Sequence, residues 1–355
     1  MEDIGKRSRG RGLPSRRTVL AGSAALAMPA IWTSGARAQS STLVVSTWGG
    51  NFGRLLTENV DVPFMKPLGI EVVQDIGGEE ARVAKIQAQR MLPQGNIDVA
   101  CVTGGVAQRL ADLGALEPLN AATVPNLAHA LPNLLTPTAA PQFYSPQVLI
   151  YSSERVKEPP TSFADLLEPA YKNKVGLTDG NFPFNMMAAA LYASGNITDV
   201  AGAKEAMIRL NKNGLKLYPS VDATAPPFKS GEIDAGIMFL ARVISWQDSG
   251  IPVKAAFPKE GAALYVSSLV VPKNAPNKQA ALKYINAMLE PSAQQGFAAK
   301  LGYIPATDNA GLSGTLAQQL ALPVPAPKLV VPDYAAMAAG SADLADWWKK
   351  TIQRS

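Results

Sequence analysis

Apolar runs of strand length alternate with amphipathic helical stretches along most of this chain, and that alternation constrains the fold more than any other feature. Residues 43–48 read as a strand ending in Gly49-Gly50, with a helix from about Phe52 behind it. A second strand covers 70–74, and residues 79–92 then carry Val83, Ile86 and Met91 at helical spacing. Residues 97–102 form a third strand, followed by Gly104-Gly105 and a helix through Leu113. An irregular passage rich in Pro, Ala and Asn fills 122–141. The alternation then resumes, with strands predicted at 148–152, 175–178, 215–218, 235–239 and 264–271. Helices are predicted at 184–194, 201–211, 277–289, 292–300 and 343–352. Strands separated by helices need crossover connections, so the pattern predicts an α/β protein with a mostly parallel sheet. At 355 residues the chain exceeds the roughly 250–300 that one hydrophobic core holds, so two α/β units are expected.

The first 38 residues do not belong to that pattern. Ser15-Arg16-Arg17-Thr18-Val19-Leu20 is a twin-arginine signature, an apolar stretch over 19–32 follows, and Ala36-Arg37-Ala38 has the small-x-small form of a cleavage site. Basic region, apolar run and small-residue exit in that order describe an export leader. The run contains Gly22 and Pro29 and is shorter than the roughly 20 residues that span a bilayer. The mature chain is expected to begin near Gln39, in the periplasm. The leader also carries the charge. It holds seven of the 33 Lys and Arg and two of the 28 Asp and Glu, which leaves 26 of each and a neutral mature domain. A nucleic-acid partner, which needs a surplus of cations on the folded surface, is therefore not expected.

Single residues exclude further classes. Cys101 is the only cysteine, so no intramolecular disulfide forms. His129 is the only histidine, which removes most zinc sites and Ser-His-Asp chemistry. No cofactor is called for, and nothing demands more than a monomer.

Four segments carry a family resemblance. Residues 98–105, with Arg109-Leu110-Ala111-Asp112-Leu113-Gly114-Ala115-Leu116-Glu117-Pro118-Leu119 after them, resemble the strand, cleft loop and helix of extracellular solute-binding proteins. Pro160-Thr161-Ser162-Phe163-Ala164-Asp165-Leu166 with Tyr171-Lys172-Asn173-Lys174-Val175-Gly176 is similar to a Pro-Thr-Ser stretch of that family, and Lys229-Ser230-Gly231-Glu232-Ile233-Asp234 to its Gly-Glu turn. The block Phe257-Pro258-Lys259-Glu260-Gly261, then Leu264-Tyr265 and Leu269-Val270-Val271-Pro272-Lys273-Asn274-Ala275, resembles the spermidine/putrescine-binding proteins of bacterial ABC importers. The resemblance runs over nearly all of 42–306. It implies the type II periplasmic binding protein fold, two α/β lobes that close over a small-molecule solute and then meet an inner-membrane ABC permease. The implied lobes are 39–146 plus 266–312 and 147–265 plus 313–355. The chain would cross between them near 144–151 and return near 265–273.

In an open α/β sheet, ligands sit beyond the carboxyl ends of the strands. That rule selects Trp48 and Asn51 after the first strand and Thr103 and Gly104 after the third. Trp48 offers a face for cation–π contact, or else packs in the core. In the second unit it selects Asp179 and Asn181, with helix capping as the alternative role of Asp179. Arg242, after the strand ending near 240, is either a cleft guanidinium or a solvated surface group. Tyr265 falls where the resemblance implies an aromatic residue against the ligand. The polyamine-binding relatives place a carboxylate where this chain has Ser267. Glu79, Glu80, Asp179 or Asp222 are the candidates to replace it, because an unpaired buried ammonium costs several kcal/mol. The ligand is thus a polyamine, an amino-acid-like compound or an organic anion. Two rival functions are an enzyme using Cys101 as a cleft nucleophile and ferric-ion capture by tyrosines. Strand alternation argues for a buried thiol, and Tyr144, Tyr151, Tyr218, Tyr265 and Tyr303 are scattered in sequence.

Overall fold

The computed structural model describes residues 41–354. The leader lies outside the described residues. The first unit runs β1 (Ser41–Thr47), α1 (Gly50–Leu56), β2 (Ile70–Ile76), α2 (Glu79–Gln89), β3 (Val99–Thr103) and α3 (Gly104–Asp112). β1 lies between β2 and β3 and is parallel to both. Between α1 and β2 the helix widens to π geometry over Thr57–Met65, where Pro63 cannot donate to the regular ladder.

β4 (Ala140–Ser152) is buried at every position. The second unit follows as β5 (Val175–Thr178), α4 (Phe182–Ser194), α5 (Val200–Lys212), β6 (Lys216–Tyr218), α6 (Val221–Ser230), β7 (Ala235–Phe239), α7 (Leu240–Asp248) and β8 (Val253–Ala256). β9 (Ala262–Val270) returns to the first unit, which α8 (Lys278–Met288), α9 (Pro291–Leu301) and β10 (Ile304–Pro305) complete. The tail holds α10 (Gly314–Leu320), β11 (Leu329–Val330), α11 (Tyr334–Ala339) and α12 (Ser341–Thr351).

The strand order is β2-β1-β3-β9-β4-β7-β5-β6. β4 is the seam. Its first half pairs antiparallel with β9, and its second half pairs antiparallel with β7 and β8. The sheet is therefore mixed, parallel within each unit and antiparallel where the chain crosses. β4 also starts eight residues before the strand expected at 148. Pro141 and Pro146 disguise it, and the pairing with β9 slips between Pro141 and Phe143. Proline lacks the N–H a ladder uses and is tolerated at such irregularities. α6 was not anticipated either, because Pro226 and Pro227 lie inside it; Ser220 starts it by accepting from the Ala223 N–H at 3.2 Å.

Each unit buries apolar residues on both faces of its sheet. In the first, Leu43, Val45, Phe143, Leu269, Tyr284 and Phe297 fill one face and Val83, Ile86, Val102 and Leu110 the other. In the second, Leu177, Met207, Leu210 and Trp348 fill one face and Ile150, Phe228, Met238 and Trp246 the other. Two cores joined by two long strands give the two-lobed arrangement that places a cleft at the seam.

Candidate functional site

A cavity of about 580 Å³ lies at the carboxyl end of β3 and the entrance of α4, as expected for an open α/β sheet. Glu79, Glu80, Thr103, Gly104, Gly105 and Arg109 line it from the first unit. Asn181, Phe182, Phe184, Met186, Met187 and Val200 line it from the second. Tyr265 and Val266 of β9 contribute at the seam, and Tyr334, Met337 and Leu344 come from the tail.

Glu79 is the first residue of α2, where the helix dipole favours an anion. Its carboxylate accepts from the Thr103 N–H at 2.5 Å and from Thr103 Oγ1 at 3.2 Å. Burial pushes its carboxyl above the usual glutamate range, against the pull of the two Thr103 bonds and the Arg82 charge. Glu80 differs: its side chain is 78% exposed and pairs with Arg109 at 3.0 Å.

Arg82, one turn along α2, is fully buried. It donates to Ser46 Oγ at 3.1 Å, to the Cys101 carbonyl at 2.7 Å and to the Gly77 carbonyl at 3.1 Å. Those bonds tie α2 to β1, to β3 and to the loop after β2. Its guanidinium also lies 4.9 Å from the Trp48 ring centre. Trp48 packs edge-on against Phe52 and is not in the cavity wall. The cation that meets Trp48 thus belongs to the protein. Asn51 is exposed and accepts from Arg54 at 2.5 Å, outside the cavity.

Thr103, Gly104, Asn181 and Tyr265 do line the cavity. Asp179 does not. Its two oxygens accept from Trp348 Nε1 at 2.8 Å and Gln353 Nε2 at 2.7 Å, so it fastens the tail instead of capping a helix or meeting a ligand. Asp222 is exposed on α6 and outside the wall. Ser267 is buried and donates to Gln142 Oε1 at 3.1 Å. Arg242 is half-buried and outside the cavity lining, and its charge opposes the upward push on the Tyr265 and Tyr303 phenols.

Tyr265 joins an aromatic belt through the seam. It meets Phe239 at 5.4 Å, Tyr303 at 5.9 Å and Phe184 at 6.3 Å between ring centroids. Tyr303 in turn stacks on Phe143 at 4.3 Å. Two tyrosines that are scattered in sequence are therefore neighbours in space. Burial pushes the Tyr265 phenol well above its usual range; the neighbouring Tyr303, Glu79 and Tyr334 add to this and Arg242 opposes it. Cys101 is fully buried in β3, outside the cavity wall, and burial pushes its thiol up to about 11. A cleft nucleophile is not available there.

Sequence reasoning missed Tyr334. Its ring lies on Gly104, where a β-carbon would come within 2.5 Å of Tyr334 Cζ and Oη. The Oη is buried without a hydrogen-bond partner, and burial pushes the phenol up. Phe182 and Phe184 were within reach of sequence reading, since they directly follow the Asp179 loop. Tyr334 was not, because only the fold brings a residue so far downstream to this loop.

The family model for bacterial extracellular solute-binding proteins matches residues 61–324. The chain belongs to that family. The spermidine/putrescine-binding periplasmic protein of Salmonella typhimurium is 28% identical over 304 residues, covering 81% of this chain and 83% of its own. The spermidine/putrescine-binding periplasmic protein 1 of Haemophilus influenzae is 30% identical over 255 residues, covering 68% and 69%. A solved extracellular solute-binding protein from Bordetella parapertussis, 20% identical, superposes with a TM-score of 0.78 over 88% of this chain and 99% of its own. The fold is thus the two-lobed α/β fold of the solute-binding proteins. The chain's role is solute binding for transport and not catalysis.

Proposed function

We propose that the protein captures a small ammonium-bearing solute in the periplasm and delivers it to an inner-membrane ABC permease. Glu79 carries this reading. It is a carboxylate in the cavity wall, held in place by Thr103, with no cation among the described residues within salt-bridge distance. A ligand ammonium would supply that cation, with Glu79 taking the place of the carboxylate that the resemblance implies at Ser267. The Salmonella and Haemophilus relatives, which are spermidine/putrescine-binding proteins, point the same way.

Two observations weigh against an organic anion. Arg109, the cation in the wall, is already paired with Glu80, and the Tyr334 ring covers the Gly104 backbone that would otherwise meet an anion. The lobes on this reading are 39–146 with 266–312, and 147–265 with 313–355. The packing of Leu320, Trp348 and Ile352 into the second unit's cores supports the second assignment. The twin-arginine leader accounts for export, with cleavage near Ala38 and a monomeric receptor outside the inner membrane.

Thermal-shift screening of the mature protein tests the reading, because a ligand selective for the folded state stabilises it by about 2.7 kcal/mol at a hundred times its Kd. Amines should raise the melting temperature and Glu79→Gln should remove the effect. Stabilisation by organic acids with none by amines would overturn it.

A further inference from the structure

The cavity wall is charged at one end only. Among the described residues that line it, three carry charge: Glu79, Glu80 and Arg109. Glu80 and Arg109 neutralise each other at 3.0 Å, which leaves Glu79 as the one anion without an ion-pair partner. The opposite wall carries no charge and is mostly apolar, made by Phe182, Phe184, Met187 and Val200 with Leu344 from the tail and the neutral polar groups of Asn181, Thr198 and Ser341 among them. No carboxylate faces that end, because Asp179 is committed to Trp348 and Gln353.

An α,ω-diamine enclosed here would have one ammonium beside Glu79 and the other against phenylalanine and methionine. A buried charge without a partner costs several kcal/mol. A monoamine places its head on Glu79 and its hydrocarbon on the apolar wall, where every methylene removed from water adds to affinity. We infer that the site takes amines with a single cationic head and an apolar body in preference to polyamines. The inference rests on the amine reading above and narrows it.

Tyr334 strengthens the same polarity. Its ring closes the Gly104 end of the cavity, while its Oη, buried and unpartnered, leaves an acceptor unused in the wall. Such an oxygen suits one ammonium head and offers nothing to a second charge at the far end.

Isothermal titration of the mature protein with hexylamine, 1,6-diaminohexane and spermidine decides the matter, since the first two differ by one terminal nitrogen. Hexylamine is expected to bind at least tenfold more tightly than either polycation, and Glu79→Gln should weaken it at least tenfold. Val200→Glu adds a carboxylate at an exposed position of the apolar wall, in the first turn of α5 where the helix favours an acid. It should shift the ratio toward the diamine at least tenfold. Equal or tighter binding of the diamine or spermidine by the unmodified protein, still sensitive to Glu79→Gln, would overturn this inference and leave the amine reading standing. An unchanged ratio in Val200→Glu would also overturn it. Failure of all three amines to bind would overturn both.

Discussion

Glu79 meets two opposing demands. Burial favours its neutral acid, while the Thr103 bonds and the Arg82 charge favour the carboxylate, as the proposed ammonium would on binding. The sign of the pH dependence follows. The folded-state pKa lies above 4.5, so the anion is fully present above that raised value and is lost as pH falls through it. Amine affinity should be flat at neutral pH and fall about tenfold per pH unit once pH drops below the Glu79 pKa, with a break above the ordinary glutamate range. Glu79→Gln should bind at least tenfold more weakly, since truncating one partner of a buried charge pair leaves the other unpaired, and should lose the break. Titrations across pH 4–8 would measure both. Cys101 gives a contrasting expectation. With its thiol near 11, only about one molecule in ten thousand is thiolate at pH 7. Alkylation of the native protein should be negligible over the time in which the denatured protein reacts fully. At this scale the strand-end rule selected Thr103, Gly104 and Asn181 and the family resemblance selected Tyr265, and all four line the cavity. Trp48 and Asp179 satisfy the same rule, yet their partners are Arg82 and Trp348. Those pairings depend on tertiary packing that no local spacing encodes.

The tail is the element with the most leverage on the site. α11 sits on the start of α3 in the first unit, and α12 packs into the second through Trp348 and Ile352. Trp348→Ala should cost about 3–5 kcal/mol, the usual range for emptying a large aromatic site, and should speed proteolysis within 334–351. Trp348→Phe keeps most of the packing but strips one donor from Asp179, so it should cost less. Gly104→Ala acts from the other side, since its methyl group needs the space of the Tyr334 ring. Hydrogen exchange should then rise across α11 with α3 still protected, and unchanged protection of α11 would contradict the placement of Tyr334. The alternating pattern revealed most strands and the longer helices, because their apolar spacing is strong. β4 and α6 were obscured by prolines, whose effect depends on which N–H the ladder leaves unused.

For the whole molecule, β4 and β9 are the continuous path between the lobes, and the cavity lies beside them. The belt from Phe184 through Tyr265 and Tyr303 to Phe143 links the two cores across that path. A ligand touching both walls should draw the lobes together, a hinge closure visible as a smaller radius of gyration by solution scattering. The two-lobed architecture was legible from length, alternation and the ordered motifs. The antiparallel seam was not, because it records where the chain changes lobe and not how any one segment is patterned. The central claim is that one ammonium head meets Glu79 while the opposite wall stays apolar. A crystal structure of the mature protein with hexylamine bound tests it most directly. The account predicts the amine nitrogen within hydrogen-bond distance of a Glu79 carboxylate oxygen and the alkyl chain against Phe182, Phe184 and Met187. A nitrogen bound elsewhere, with Glu79 touching only Thr103, would contradict it.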